Sequence, residues 1–128
     1  MFNLKGSFSG FSVNDPAKAK EFYTKTLGLK VEDGVGGVRI RLPGGGMVWM
    51  YPKPNHQPAS FTILNFKVDD IDAAVDDLTS RGVQFERYPN IPADDKGILR
   101  GIAGKRGPDI AWFKDPAGNI LSVLKEPS

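Results

Sequence analysis

Two stretches of the chain change their hydrophobic period in the same way. In residues 11–32, FSVNDPAKAKEFYTKTLGLKVE, Phe11 and Val13 alternate with polar neighbours, and Ala19, Phe22, Tyr23 and Leu27 then recur at three- and four-residue steps. Residues 66–86, FKVDDIDAAVDDLTSRGVQFE, repeat the change, with Phe66 and Val68 alternating before Ile71, Ala74, Val75 and Leu78 take up helical spacing. Alternation marks a half-buried strand, and three-and-four spacing marks one face of a helix. Laying Val13-x-Asp15 on Val68-x-Asp70 aligns Phe11 with Phe66 and Ala19 with Ala74, and one extra residue in the first copy brings Gly28 onto Gly82. Asn14 or Asp15 and Asp69 or Asp70 are candidate N-caps, Pro16 suits a first helical turn, and the two glycines suit the left-handed position that ends a helix.

After each glycine the strand pattern returns. Residues 29–33, 37–42 and 46–52 follow the first helix, separated by glycine turns at 34–37 and 43–46. Residues 83–88 (VQFERY), a weaker strand around 97–103, then 109–114 (DIAWFK) and 119–126 (NILSVLKE) follow the second, with DPAG at 115–118 as a hairpin turn. The segment 51–60, YPKPNHQPAS, holds three prolines and serves as a linker. The expectation is one α+β domain over 1–128, built from two βαβββ modules at about 5–52 and 61–126 joined by a linker at 53–60. A helix covers one face of each module's sheet, and pairing the modules is expected to close a cupped, mixed sheet with the helices on the outer face.

Composition narrows the chemistry. At 40% hydrophobic and 25% charged residues the chain has material for an ordinary core. Cysteine is absent, which removes disulfides, thiolate metal sites and a thiol nucleophile. The N-terminal residues lack the apolar run of a signal peptide and no stretch has the length of a membrane span, so a cytoplasmic location with no membrane partner is expected. A net charge of +2 with scattered Lys and Arg gives no reason to expect nucleic acid.

The arrangement, with FSVNDPAKAKEFYTKTLGLKV early and AWFKDPAGNILSVLKE late, resembles the vicinal oxygen chelate superfamily, which includes glyoxalase I, extradiol dioxygenases, fosfomycin-resistance thiol transferases and bleomycin-resistance proteins. The resemblance implies paired βαβββ modules, a cupped ligand site and a homodimer. It also implies four inward positions that hold His, Glu or similar ligands in metal-dependent members. Carried onto this chain they fall on Phe8, Trp49, Ile63 and Ser122, and their neighbours within one residue offer no His or carboxylate. Neutral imidazole and carboxylate are what a divalent cation needs, so a site with no metal and no cofactor is expected.

Alternation then places Phe8, Gly10, Ser12, Met47, Trp49 and Tyr51 toward the cup, with Ile63, Asn65, Lys67, Ile120, Ser122, Leu124 and Trp112 in its second half. Arg39 and Arg41 share one side of their strand, either in the cup or at its rim. The candidate ligand-binding set is therefore Phe8, Arg39, Arg41, Trp49, Tyr51, Ile63, Asn65, Trp112 and Ser122, suited to a small, partly aromatic organic ligand. His56, the single histidine, sits in the linker and is expected in a surface loop or at the cup mouth. The loops containing PADDKG and GIAGKRGPD are candidates for a lid over the second half or for plain solvent loops. Two functions stay open. One is a metal-free binder that sequesters a toxic or aromatic compound, in the manner of bleomycin-resistance proteins. The other is a glyoxalase- or lyase-like enzyme acting without metal or with displaced ligands.

Overall fold

A computed structural model describes all residues, Met1–Ser128, which form two compact units, Met1–Pro58 and Ala59–Ser128. The first unit begins with strand β1 (Ser9–Val13) and helix α1 (Pro16–Glu21), and continues with β2 (Lys30–Gly34), β3 (Gly37–Arg41) and β4 (Met47–Pro52). Its sheet runs in the order β1-β4-β3-β2, with β1 parallel to β4 and the other pairs antiparallel. The second unit repeats the plan with β5 (Thr62–Lys67), helix α2 (Ile71–Ser80), β6 (Leu99–Arg100), β7 (Asp109–Lys114) and β8 (Ile120–Lys125), in the order β5-β8-β7-β6. The architecture is α+β with two βαβββ modules, as the pattern implies.

The helices start where the sequence says they should. Asp15 is the N-cap of α1, its carboxylate accepting from the N–H groups of Ala17 and Lys18 at 3.1 Å each, with Pro16 in the first turn. Asp70 caps α2 by accepting from the Ala73 N–H at 3.0 Å. Such a cap contributes about 1 kcal/mol. In both modules the chain leaves the helical segment through a glycine with positive φ, Gly28 at 69° and Gly82 at 95°. The extra residue of the first copy is absorbed in between. After Glu21 the helix widens into a π-helical turn over Phe22–Thr26, closed by the Leu27 N–H on the Phe22 carbonyl at 3.1 Å. One inserted residue is what a π turn accommodates. The widening seats the fully buried Tyr23 ring 6.1 Å from Phe11 and edge-on to Phe22 at 5.4 Å.

Each helix covers one sheet face. In the first unit Val13, Ala19, Tyr23, Val38, Ile40, Val48 and Met50 are buried. In the second unit Ile71, Val75, Ala111, Phe113, Leu121 and Val123 are buried, and Phe85 packs on Phe113 at 5.6 Å. Burying one such side chain contributes about 1.5–3 kcal/mol. The turn before β8 is held from within by Asp115, which is 5% exposed. One of its oxygens accepts from the N–H groups of Ala117 and Asn119 at 2.9 Å, and the other from the Asn119 amide at 3.0 Å.

One expected strand is missing. Residues 83–88 carry no strand, although Val83 is buried and the Glu86 N–H donates to the Trp112 carbonyl at 2.7 Å. The outer edge of β7 is instead paired at Asp109 and Ile110 by the two-residue β6, where the sequence gives only a weak signal. The apolar alternation of 83–88 therefore serves packing rather than a ladder. No helix of the chain is long and apolar enough to cross a membrane.

Candidate functional site

The face of the first sheet turned away from α1 is defined by its register. Gly10, Trp49, Arg39 and Glu32 form one row across the four strands, and Ser12 lies beside Tyr51 in the next. Trp49 is half-buried because two glycines leave room beneath it. A Cβ on Gly37 would lie 2.8 Å from the indole and 2.4 Å from the Met50 carbonyl oxygen, and one on Gly34 would lie 2.9 Å from the indole. The Arg39 guanidinium carbon stands 5.7 Å from the centre of the indole ring, a cation–π contact. Arg41 is committed elsewhere, donating from Nε to Glu32 at 2.6 Å. That hydrogen bond, with the charges of Arg41 and the neighbouring Lys30 and Arg39, lowers the Glu32 pKa despite some desolvation. Tyr51 is 38% exposed on this face.

His56 is not a free-standing loop residue. The linker folds back on β1 and β4, with the Lys53 N–H on the Val13 carbonyl and the His56 N–H on the Lys53 carbonyl, both at 3.0 Å. This brings the half-buried imidazole Nδ1 within 2.6 Å of the Ser12 hydroxyl oxygen. Phe8, by contrast, precedes β1 and is 63% exposed.

In the second unit the face away from α2 carries Asn65, Ser122 and Trp112 side by side across β5, β8 and β7. The buried Ser122 hydroxyl donates to the Asn65 side-chain oxygen. The Trp112 indole N–H donates to the Thr62 hydroxyl at 3.0 Å, and Tyr88 packs edge-on to the same indole at 6.0 Å. Ile63 falls where the β5–β8 register shifts between Thr62 and Leu64. Thr62, not Ile63, is thus the residue that reaches Trp112. The Tyr88 hydroxyl is buried without a hydrogen-bond partner; burial, with the nearby Glu86, raises its pKa against the opposing pull of Lys114.

Beside Trp112 lies a cavity of about 690 Å³. Its walls come from three places: the loop at 90–94, the strand edge from Ile98 to Gly101 with Ile110 and Trp112, and the loop at 104–108. Most of the lining is apolar, with Asp94, Arg100 and Arg106 as its charged groups. Asp94 and Arg100 hold the first loop in place. Arg100 donates through Nε to Asp94 at 2.9 Å and forks onto both oxygens of Asp72 at 2.7 and 3.0 Å. The Asp94 carboxylate also accepts from the N–H groups of Lys96 and Ile98 at 2.9 Å. The Arg100 hydrogen bond lowers the Asp72 pKa to about 2, against desolvation and with help from Lys96. Burial raises that of Asp94, but the Ile98, Arg100 and Lys96 hydrogen bonds outweigh it and the net shift is downward.

Of the residues singled out from sequence, Arg39, Arg41, Trp49 and Tyr51 therefore share one face of the first unit, and Asn65, Trp112 and Ser122 share one face of the second. The cavity walls at 90–94 and 104–108 were legible as Gly- and Pro-bearing loops, but nothing in their pattern reveals that they enclose space against Trp112. The four positions that the sequence resemblance singled out hold Phe8, Trp49, Ile63 and Ser122. No group of three His, Asp or Glu side chains comes together in a way that could hold a metal ion. The donor set does not fit a divalent cation.

Comparison with known proteins agrees with this fold. A family model described as the Glyoxalase/Bleomycin resistance protein/Dioxygenase superfamily matches residues 9–123. The uncharacterised protein YraH of Bacillus subtilis (strain 168) is 27% identical, over 88% of this chain and 91% of its own. The crystal structure of TnmS3, an antibiotic binding protein from Streptomyces sp. CB03234, is similar with 28% identity and a TM-score of 0.64, covering 98% of this chain and 100% of that one. A superfamily member from Sphaerobacter thermophilus DSM 20745 is similar with 25% identity and a TM-score of 0.67, covering 94% and 98%.

Proposed function

The chain belongs to the glyoxalase/bleomycin resistance protein/dioxygenase superfamily, and on that premise we propose that it binds a small aromatic or amphipathic organic molecule without a metal ion. The observation that carries this is the cavity of about 690 Å³ beside Trp112, whose size and apolar lining suit a ligand of that class. Trp112 is fixed by its bond to Thr62 and offers a flat stacking surface. Asn65, which shares a sheet face with Trp112 and accepts from the buried Ser122 hydroxyl, is the polar residue we assign to a further ligand contact, and Arg39, Trp49 and Tyr51 form a separate aromatic and cationic face on the first unit. The absence of any His or carboxylate at the four family positions supports a metal-independent role. TnmS3, described as an antibiotic binding protein, is a relative for which binding is the printed role, and sequestration of a toxic compound is the version of the function we favour. Homodimerisation belongs to the same proposal, supported by the exposed Phe2, Leu4 and Phe8.

The test is a titration of neutral bicyclic aromatics followed by tryptophan fluorescence in the wild type and in Trp112→Phe and Trp49→Phe. Saturable quenching that persists in Trp49→Phe and is lost or strongly reduced in Trp112→Phe is expected. Quenching that depends on Trp49 alone would refute the placement. A second reading, catalysis, is favoured by the 2.6 Å contact between the Ser12 hydroxyl and the His56 imidazole, a pairing that can move a proton off a nucleophile. Chromatographic recovery of the bound compound separates the two: intact compound supports binding alone, and a product whose formation stops in Ser12→Ala supports the enzyme.

A further inference from the structure

We propose that the cavity of the second unit selects organic anions, with Arg106 as the group that receives the negative charge. This rests on the reading that the cavity holds an organic ligand, and adds the charge that ligand carries. Three charged side chains line the space, Asp94, Arg100 and Arg106. Two of them are already engaged: Arg100 donates to Asp94 and forks onto Asp72, so its guanidinium is not free for a ligand. The Arg106 guanidinium makes no hydrogen bond and no ion pair. It is the one uncommitted charge on otherwise mostly apolar walls, and its planar fork matches a carboxylate or sulfonate.

The backbone that presents Arg106 is built with strain. Lys105, next to it, is the one non-glycine residue of the chain with positive φ, at 53°. The loop around it is tied down on both sides. The Arg106 N–H donates to the Gly101 carbonyl at 2.9 Å, the Lys105 N–H to the Ile102 carbonyl at 3.0 Å, and the Ile102 N–H to the Asp109 carboxylate at 3.0 Å. A Cβ at Gly101 would meet the Pro108 carbonyl oxygen at 2.3 Å, so the two ends of the loop touch backbone to backbone. A lysine held in a sparsely populated conformation by an over-determined loop needs a reason. Presenting the neighbouring arginine at the cavity supplies one.

Calorimetric titration of the full chain with 2-naphthoate and with 2-naphthamide tests this, since the two differ in charge and little in shape. The wild type is expected to bind the carboxylate at least fivefold more tightly at low salt, with the advantage shrinking as salt is added. Arg106→Met should erase the preference by weakening the carboxylate far more than the amide, and Arg106→Glu should reverse it; circular dichroism confirms folding of each variant. Equal affinities for the two probes, or a preference unchanged in Arg106→Met, would overturn the assignment and leave the cavity as a ligand site. Binding of neither probe would overturn the cavity reading, and this inference with it.

Discussion

Two glycines three residues apart in the loop at 101–108 should respond oppositely to the same substitution. Gly101 is buried, and an alanine Cβ there would lie 2.3 Å from the Pro108 carbonyl oxygen and 3.1 Å from the Gly107 carbonyl. These are backbone atoms, so no side chain can rotate away, and the loop must open by roughly 1 Å to restore an ordinary contact near 3.5 Å. Overpacking of this kind costs about 1–3 kcal/mol, and opening also strains the Arg106-to-Gly101 and Ile102-to-Asp109 hydrogen bonds. We expect Gly101→Ala to lose about 2 kcal/mol. Gly104 lacks a positive φ, and its added Cβ would meet the Arg106 side chain at 3.8 Å and the Gly101 carbonyl oxygen at 3.9 Å, ordinary van der Waals contacts. Gly104→Ala should be neutral or gain up to about 1 kcal/mol by restricting the unfolded chain. Urea denaturation followed by far-ultraviolet circular dichroism separates the two. With a slope of about 1.5 kcal/mol/M, Gly101→Ala lowers the midpoint by about 1.3 M and Gly104→Ala leaves it level or slightly raised. Equal shifts for the two variants would refute the argument that backbone contact closes this loop.

Other consequences can be checked on the same instrument. Asp115→Ala leaves the buried N–H groups of Ala117 and Asn119 without their acceptor and should cost about 3 kcal/mol in urea unfolding. Asp72 and Asp94 titrate below their usual values in the folded state. The stability they contribute is thus present above about pH 4 and lost as pH falls toward 2. The midpoint of thermal unfolding should drop across that window, and the drop should flatten in Arg100→Gln, whose guanidinium is their shared partner. Arg39→Met removes the cation over the Trp49 indole; a loss of about 0.5–1 kcal/mol is expected, together with a changed Trp49 emission in a Trp112→Phe background.

How far the sequence reaches depends on the length scale of the signal. Caps, glycine stops and alternation are local, and they located both helices and seven of the eight strands closely. Three features depend on contacts distant in the chain. Residues 83–88 alternate well, yet β6 takes the edge of β7 at Asp109 and Ile110, and no local pattern decides which of two segments pairs. The bulge at Ile63 moves Thr62 onto the Trp112 side of its strand, a shift of one residue that alternation cannot register. His56 reads as a linker residue because its partner Ser12 lies 44 positions away. The extra residue before Gly28 was visible in the repeat, but its resolution as a π turn around the buried Tyr23 required the packing. Among candidate site residues, those on regular strands, such as Arg39, Trp49 and Trp112, follow the pleat. Two of the cavity's three walls, at 90–94 and 104–108, are loops with no period at all.

The central claim is that the cavity beside Trp112 holds an organic ligand without metal. Calorimetric titration of 2-naphthamide tests it most directly, run on the wild type with and without a chelator and on Ile110→Trp, which fills the cavity from β7. One site per chain is predicted, with an affinity indifferent to the chelator and abolished by Ile110→Trp in a folded variant. Binding that vanishes with the chelator, or that survives Ile110→Trp unchanged, would contradict the account.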